Sequence, residues 1–307
     1  MPRVAIVGAT GAAGSVLRGL IGDWDDVRYL ASARSAGREL DGRVIEEATP
    51  EALAAGGIDV CFFAIGATGS RELVPHAVRG GSVAIDKSSA WRMEPNVPLV
   101  VPEVNGNRAT EHEGIVAVPN CSTIQMTVAL KPLHDAAGLR SIRVATYQSV
   151  SGAGTKAMDA LRAQSIEDHD ARGDWTFDGE EFEEETKIQE ETRKILELPD
   201  LPVQAVCVRV PVLVGHLEAV WIETENALSP DEARALLASA PGVRVVEVPS
   251  PKLAAGIDDV LVGRIHRDPA TPNGLTLMVA GDNLRKGAAL NAKQIAEILL
   301  ERTALAA

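Results

Sequence analysis

Arg3-Val4-Ala5-Ile6-Val7-Gly8-Ala9-Thr10-Gly11-Ala12-Ala13-Gly14 is the stretch whose reading decides the fold. Its first five residues are a short run rich in β-branched side chains that Gly8 stops. From residue 11 to 21, Val16, Leu17 and Leu20 recur at helical spacing. A strand, a glycine turn and a helix in that order bring backbone N–H groups and the positive end of a helix to one point, where a pyrophosphate can bind. Glycine at 8, 11 and 14 removes the Cβ atoms that would hold the phosphates off, and Thr10, Ala12 and Ala13 complete the loop as candidate cofactor contacts. The spacing Gly-x-x-Gly-x-x-Gly is a variant of the dinucleotide fingerprint; a purely structural turn is the alternative, which the strand and helix around it disfavour.

Further strands are expected at 27–31, 58–65, 82–86, 99–101 and 115–118, with helical stretches such as 71–78 between some of them. Strands apolar on both faces that alternate with helices build a parallel sheet covered by helices. Near residue 121 the pattern changes. A helix over 122–137 leads to a long strand, 141–150, and strands at 203–212, 219–225, 243–246, 260–267 and 275–279 with a helix at 230–238 read as a mostly antiparallel sheet. A last helix, 284–304, carries the apolar stripe Leu290, Ile295, Ile298 and Leu299 and is expected to pack on the first domain. The fold class is therefore α/β: a Rossmann-type dinucleotide-binding domain over 1–121 completed by 283–307, and an α+β substrate domain over 122–282. The acidic stretch 164–189 has few apolar anchors and reads as a solvated loop and helix face.

A net charge of −13 over 307 residues argues against nucleic acid or an anionic membrane as the main partner. An anionic substrate then needs its own local cationic pocket. Three cysteines without metal-type spacing imply neither a disulfide framework nor a metal site, and fit a reducing compartment. With no basic leader, no apolar signal core and no run near the ~20 residues that span a bilayer, a cytoplasmic protein is expected.

The residues after the second strand choose the cofactor, because an NAD enzyme tends to place a carboxylate there on the ribose 2′-hydroxyl. Here the chain reads Ala31-Ser32-Ala33-Arg34-Ser35-Ala36-Gly37. Ser32, Arg34 and Ser35 suit a 2′-phosphate instead, so NADP is expected. An exposed loop with a merely solvated arginine is the alternative.

Cys121, in Pro119-Asn120-Cys121-Ser122-Thr123, lies where a strand ends and a helix begins, so its sulfur meets unpaired N–H donors that favour a thiolate. Many cysteines are inert core residues, and Cys61 and Cys207, with apolar strand neighbours, read that way. A cysteine that adds to a carbonyl needs a proton partner. His216 follows a strand at a turn and is the best placed of the six histidines, though on the residues alone such a histidine is more often a satisfied structural one.

Taken with Asp86-Lys87-Ser88-Ser89-Ala90-Trp91-Arg92, Val101-Pro102-Glu103-Val104-Asn105, Gln148-Ser149-Val150-Ser151-Gly152-Ala153-Gly154, Cys207-Val208-Arg209-Val210-Pro211 and Asp282-Asn283-Leu284-Arg285-Lys286-Gly287, these motifs resemble aspartate-β-semialdehyde dehydrogenase over nearly the whole chain. The resemblance implies reductive dephosphorylation of β-aspartyl phosphate by NADPH to aspartate semialdehyde and phosphate, on the route to lysine, threonine and methionine, by a homodimer whose second domain carries the dimer contacts. It implies that Cys121 forms a thioester, that His216 is the acid/base and that Gln148 orients the intermediate. Arg209 corresponds to the substrate-carboxylate ligand, Arg92 and Lys187 to phosphate ligands, Glu184 to the acceptor of the substrate ammonium, and Asn283 to a residue near the nicotinamide amide. Asn120 is placed with the substrate-binding residues. Without the resemblance, Arg209 reads as an ordinary strand cation, Glu184 and Lys187 as a surface ion pair, and Asn283 as a helix cap. The chain departs from the pattern at 157–182, which is short and lacks a proline-containing stretch, at Lys87 in place of asparagine and at Leu217 in place of serine. Two rivals remain: N-acetyl-γ-glutamyl-phosphate reductase, which Glu184 disfavours because that substrate has no free ammonium, and a silent NADP-binding sensor.

Overall fold

The computed structural model describes residues 2–24, 26–163 and 175–306. It divides into two compact units, Met1–Pro119 with Ala288–Ala307, and Asn120–Gly287.

In the first unit, β1 (Arg3–Val7), β2 (Asp26–Ala31), the hairpin β3 (Glu39–Leu40) and β4 (Arg43–Val44), β5 (Glu46–Glu47), β6 (Val60–Phe63), β7 (Val83–Asp86) and β8 (Ile115–Ala117) follow in chain order. Apart from the hairpin they form one sheet, ordered β5-β2-β1-β6-β7-β8, in which every pairing is parallel. Parallel strands need crossovers, which helices such as Ala12–Leu20 and Ala67–Arg79 supply. Val4–Val7 and Val60–Phe63 are buried throughout, the mark of strands covered on both faces. Ala5, Val7, Leu30, Cys61 and Phe63 of these strands pack with Val74 and Ala77 of the Ala67–Arg79 helix in one core cluster. The strand order reverses beside β1, so the Gly8 loop leaves the carboxyl edge of the sheet at its switch point, where ligands bind in this class of fold. The expected strand 99–101 shrinks to a single bridge between Leu99 and Ala117, because Pro98 and Pro102 have no N–H to extend the ladder.

The second unit holds β9 (Leu139–Ser149), β10 (Val203–Val210), β11 (His216–Thr224), β12 (Val243–Val245), β13 (Val260–Arg267) and β14 (Gly274–Gly281), in one sheet ordered β10-β9-β11-β14-β13-β12. The three central pairings are antiparallel and the two outer ones parallel. Burial alternates along β10 and β11 with the period of two that a half-covered sheet requires. The covered face packs against the Cys121–Ala137 and Glu183–Leu196 helices.

Three expectations need correction. His216 is not in the turn after the 203–212 strand; it opens β11, on the other side of β9 from β10, where Arg209 stands opposite Gln148. The acidic stretch is exposed over 176–180 and at Glu183 and Thr186, as a solvated loop and helix face should be, but the other face of its helix is not solvated. Glu184, Glu185 and Glu191 on the Glu183–Leu196 helix are buried, because backbone N–H groups bond to them: Phe182 and Cys207 donate to Glu185, both at 2.8 Å, and Asn120 donates to Glu191 at 2.6 Å. Residues 164–174 of that stretch lie outside the described residues. Finally, the expected last helix begins as a π-helical turn, Arg285–Ala289, and continues as the α-helix Leu290–Ala306. The Gly287 N–H reaches the Asp282 carbonyl five residues back at 2.9 Å, and the Asp282 carboxylate takes up the N–H groups of Leu284 and Arg285.

Candidate active site

The Cys121–Ala137 helix opens with Asn120 as its cap, whose side-chain oxygen accepts from the N–H groups of Ser122 (2.9 Å) and Thr123 (3.4 Å). Capping in this way sets Cys121 as the first helical residue, half-buried, with its sulfur 3.2 Å from Nε2 of His216. Gly287 is required beside it, since a Cβ there would stand 2.8 Å from the Cys121 Cβ. The other two thiols are a different case. Burial pushes both Cys61 and Cys207 far up, which keeps them protonated and unreactive.

His216 is fully buried, and its pKa falls to about 3, through loss of hydration first and the Arg209 charge second. Its Nδ1 accepts the backbone N–H of Ser149 at 3.0 Å. An amide N–H can only donate, so the neutral ring carries its proton on Nε2, directed at the Cys121 sulfur. Asn283 holds this arrangement. Its Oδ1 accepts from Gly215 N (2.9 Å), Ser149 Oγ (3.1 Å) and Ser151 Oγ (3.0 Å), and its Nδ2 donates to Ser151 Oγ at 2.8 Å. The side chain that the resemblance set near the cofactor is thus buried among the residues that flank His216.

Arg209 is buried, and its Nη1 donates to the Ser149 carbonyl at 2.9 Å. Gly152 sits against both catalytic-face groups: a Cβ there would lie 3.1 Å from Arg209 Nη1 and 3.5 Å from His216 Cε1. Glu184 is buried and accepts from Asn120 Nδ2 at 2.8 Å, with Lys187 Nζ 3.8 Å from its other oxygen. Such burial is not that of a surface ion pair. Lys187 also pairs with Glu183 at 3.2 Å. Gln148 is buried with its amide turned to Thr146 (3.3 Å) and Cys207 (3.8 Å) rather than to Cys121 or His216. Glu218, two residues past His216, is fully buried and held well above the usual carboxylate range by lost hydration; Gln125 and Ser122 are turned toward it without completing a hydrogen bond.

In the first unit, Gly8 has φ +89° and a Cβ there would stand 2.5 Å from the Ala64 carbonyl; one on Gly14 would stand 2.2 Å from the Gly8 carbonyl. Thr10 is exposed, Gly11 and Ala12 partly so, and Ala13 is buried. The Gly8 N–H bonds the Leu30 carbonyl at 2.8 Å, which ties this loop to the end of β2 and the turn that follows it. There Ser32 and Arg34 are exposed and Ser35 is buried, its N–H closing a turn on the Ser32 carbonyl. Arg92 is buried, with Nε on the Val118 carbonyl (2.9 Å) and Nη2 on the Lys87 carbonyl (2.7 Å). No group of three or more metal-ligating side chains occurs among the described residues, and no described helix is long and apolar enough to cross a membrane.

Sequence reasoning missed the supports of these groups: Ser149, Ser151, Gly152, Gly215, Gly287 and Trp175. Most lie inside motifs already singled out, but residue type alone does not say that Ser149 acts through its backbone N–H. Trp175 lies in no motif. Its signal is that three of the chain's ten aromatic residues, Trp175, Phe177 and Phe182, fall close together in an otherwise charge-rich stretch.

Residues 3–112 match the family model described as semialdehyde dehydrogenase, NAD binding domain, and residues 130–178 and 174–286 match semialdehyde dehydrogenase, dimerisation domain. The chain is 42% identical to the aspartate-semialdehyde dehydrogenase of Corynebacterium glutamicum over 346 aligned positions, which cover 98% of this chain and 100% of that relative. It is 43% identical to that of Aquifex aeolicus, over 97% of this chain and 98% of the relative. The first alignment is longer than the 307 residues here, and the dimerisation match comes in two segments that overlap at 174–178, inside the stretch read as short. Among solved structures, aspartate semialdehyde dehydrogenase II from Vibrio cholerae complexed with ASA superposes with a TM-score of 0.92 at 37% identity, covering 98% of each chain. The Candida albicans enzyme with NADP gives 0.78 at 26% identity, covering 97% of this chain and 98% of that one. Two domain models in the right order and relatives matched end to end leave one assignment: the chain belongs to the aspartate-semialdehyde dehydrogenase family.

Proposed function

We propose that this protein converts β-aspartyl phosphate to aspartate semialdehyde and phosphate through a thioester on Cys121, with NADPH as reductant. The observation that carries the reading is the 3.2 Å approach of the Cys121 sulfur to a His216 nitrogen whose proton is fixed by the Ser149 N–H on the opposite side of the ring.

The Cys121 sulfur attacks the acyl carbon, the carbon–oxygen bond to phosphate breaks, and phosphate leaves with the bonding pair. NADPH, when bound, supplies the hydride that reduces the thioester carbonyl. The tetrahedral alkoxide so formed re-forms its carbonyl, the carbon–sulfur bond breaks, and the sulfur leaves with the electron pair as the thiolate that began the cycle, so the His216 ring has no proton to take up. His216 Nε2–H donates a hydrogen bond first to the sulfur and then to the oxygen that gains charge beside it. With Nδ1 engaged as an acceptor, the ring holds its proton rather than passing through an imidazolium. A full acid/base role requires the ring to leave the Ser149 N–H.

Arg209 is assigned the α-carboxylate, where a braced guanidinium offers a planar fork. Glu184, oriented by Asn120, is assigned the substrate ammonium, and Lys187 and Arg92 the phosphate. Gln148 would have to turn from Thr146 and Cys207 to meet the intermediate. The residues of the first unit fit the nucleotide: the glycines leave a cradle that a Cβ would fill, and the turn after β2 presents Ser32 and Arg34, with no carboxylate, to a 2′-phosphate.

A homodimer is part of this reading. The uncovered face of the second unit's sheet carries Tyr147 and Val206 exposed, with Leu217, Ala219, Trp221 and Met278 half-buried beside them, on four neighbouring strands. An apolar sheet face of this kind suits a second copy of itself. The reaction takes place in the cytoplasm in this account.

The test is phosphate-dependent reduction of NADP with aspartate semialdehyde, beside N-acetylglutamate semialdehyde and beside NAD. Turnover confined to aspartate semialdehyde with NADP supports the reading. Turnover with the N-acetylated substrate would transfer the assignment to its reductase, and no turnover with either would remove it.

A further inference from the structure

Trp175 is used by none of the steps above. Its indole lies over the Arg209 guanidinium, 4.4 Å from ring centroid to the central carbon. Arg209 is thereby held by its Nη1 on the Ser149 carbonyl at 2.9 Å and also by the indole face. A guanidinium covered in this way loses rotational freedom and part of its hydration, while its N–H edge keeps a fixed direction. The indole is itself anchored. Its ring centroid lies 6.0 Å from that of Phe182, which lies 5.3 Å from that of Phe177. Phe177 and Phe182 pair across a tight antiparallel bridge, closed by the Asp178 carboxylate on the N–H groups of Glu180 and Glu181, both at 2.9 Å. Phe182 is also the cap of the helix that carries Glu184 and Lys187. One small hairpin therefore joins the cover of Arg209 to the start of the helix that presents the carboxylate assigned to the ammonium.

We propose that Trp175 is a positioning residue of the substrate site: stacked on Arg209, it fixes the guanidinium for the α-carboxylate, and the hairpin 175–182 sets the spacing between Arg209 and Glu184, so that the site selects a short α-amino acid semialdehyde. The proposal rests on the assignment of Arg209 and Glu184 above. Trp175 acts through its contact with Arg209, so its effect falls on substrate affinity rather than on the chemical step.

The experiment compares the full-length wild type with Trp175→Leu and Trp175→Phe, using aspartate semialdehyde and its decarboxylated analogue 3-aminopropanal in the phosphate-dependent direction. For Trp175→Leu the KM for aspartate semialdehyde is expected to rise about tenfold with kcat within about twofold, since a desolvated cation–π contact has that magnitude. The KM for 3-aminopropanal, which has no carboxylate for Arg209, is expected to stay unchanged. Trp175→Phe keeps an aromatic face and is expected to recover most of the affinity. Should the leucine variant not fold, Trp175→Met, which also lacks an aromatic face, carries the test through the same pair of substrates: a KM rise confined to aspartate semialdehyde supports the proposal. Equal KM changes for both substrates, no change for either, or a loss in kcat alone would overturn it. A wild type inactive on aspartate semialdehyde would instead remove the assignment beneath it.

Discussion

At the scale of single residues, reactivity is divided among like side chains by their surroundings. Three cysteines share one chemistry, and burial silences two of them while the third stands half-buried at a helix start, 3.2 Å from an imidazole. His216 carries a cost for its position. Its pKa is about 3 in the folded chain, against roughly 6.5 when unfolded. Between those values the unfolded state binds a proton that the folded state does not, so stability is intact above about pH 6.5 and falls as pH is lowered toward 3, by at most about 1.4 kcal/mol per pH unit. Denaturant titrations of wild type and His216→Gln at pH 7, 6 and 5 check this. The wild type is expected to lose stability more steeply below pH 6.5 than the variant, and parallel curves would contradict the buried neutral ring. Much of this scale was legible in the sequence, because Cys121, His216 and Arg209 lie in recognisable motifs. The supports were not: the Ser149 N–H and the Trp175 indole matter through where the backbone brings them, which no residue type announces.

At the scale of elements, the reading succeeded where periodicity was strong and local. The β1 strand, its glycine turn and the Ala12–Leu20 helix follow directly from spacing, as do the long β9 and the Cys121–Ala137 helix. It missed the Glu183–Leu196 helix as a buried element, since charge-rich helices are usually solvated and the N–H groups that satisfy Glu185 and Glu191 come from residues far along the chain. It also left His216 in a turn and began the next strand at 219, although the chain reverses within the residues after Val210 and His216 already opens β11, across β9 from Arg209. The uncovered sheet face gives the prediction proper to this scale. Val206→Glu places a carboxylate in the middle of that face, on a side chain already 52% exposed, so the fold of the subunit is unaffected. Burying it against a second copy is expected to raise the dimer dissociation constant by on the order of a hundredfold, read by sedimentation velocity. An unchanged sedimentation coefficient would place the dimer contacts elsewhere.

At the scale of the whole molecule, the two units divide the task. The first has the all-parallel sheet and glycine cradle of a nucleotide-binding domain, and the second holds the residues proposed as nucleophile, hydrogen-bond donor and ligands of the substrate carboxylate and ammonium on one mixed sheet and two helices. Every residue assigned to covalent chemistry lies within Asn120–Gly287, so acyl transfer to the sulfur is a property of that unit's own geometry. The central claim, that Cys121 carries the acyl group, is tested most directly with phosphate withheld. Enzyme mixed rapidly with aspartate semialdehyde and NADP should give a burst of NADPH equal to the subunit concentration, and acid-quenched protein should hold one aspartyl group on the peptide containing Cys121. Absence of a burst in enzyme that turns over once phosphate is added, or an acyl group found on Cys61 or Cys207, would contradict the account.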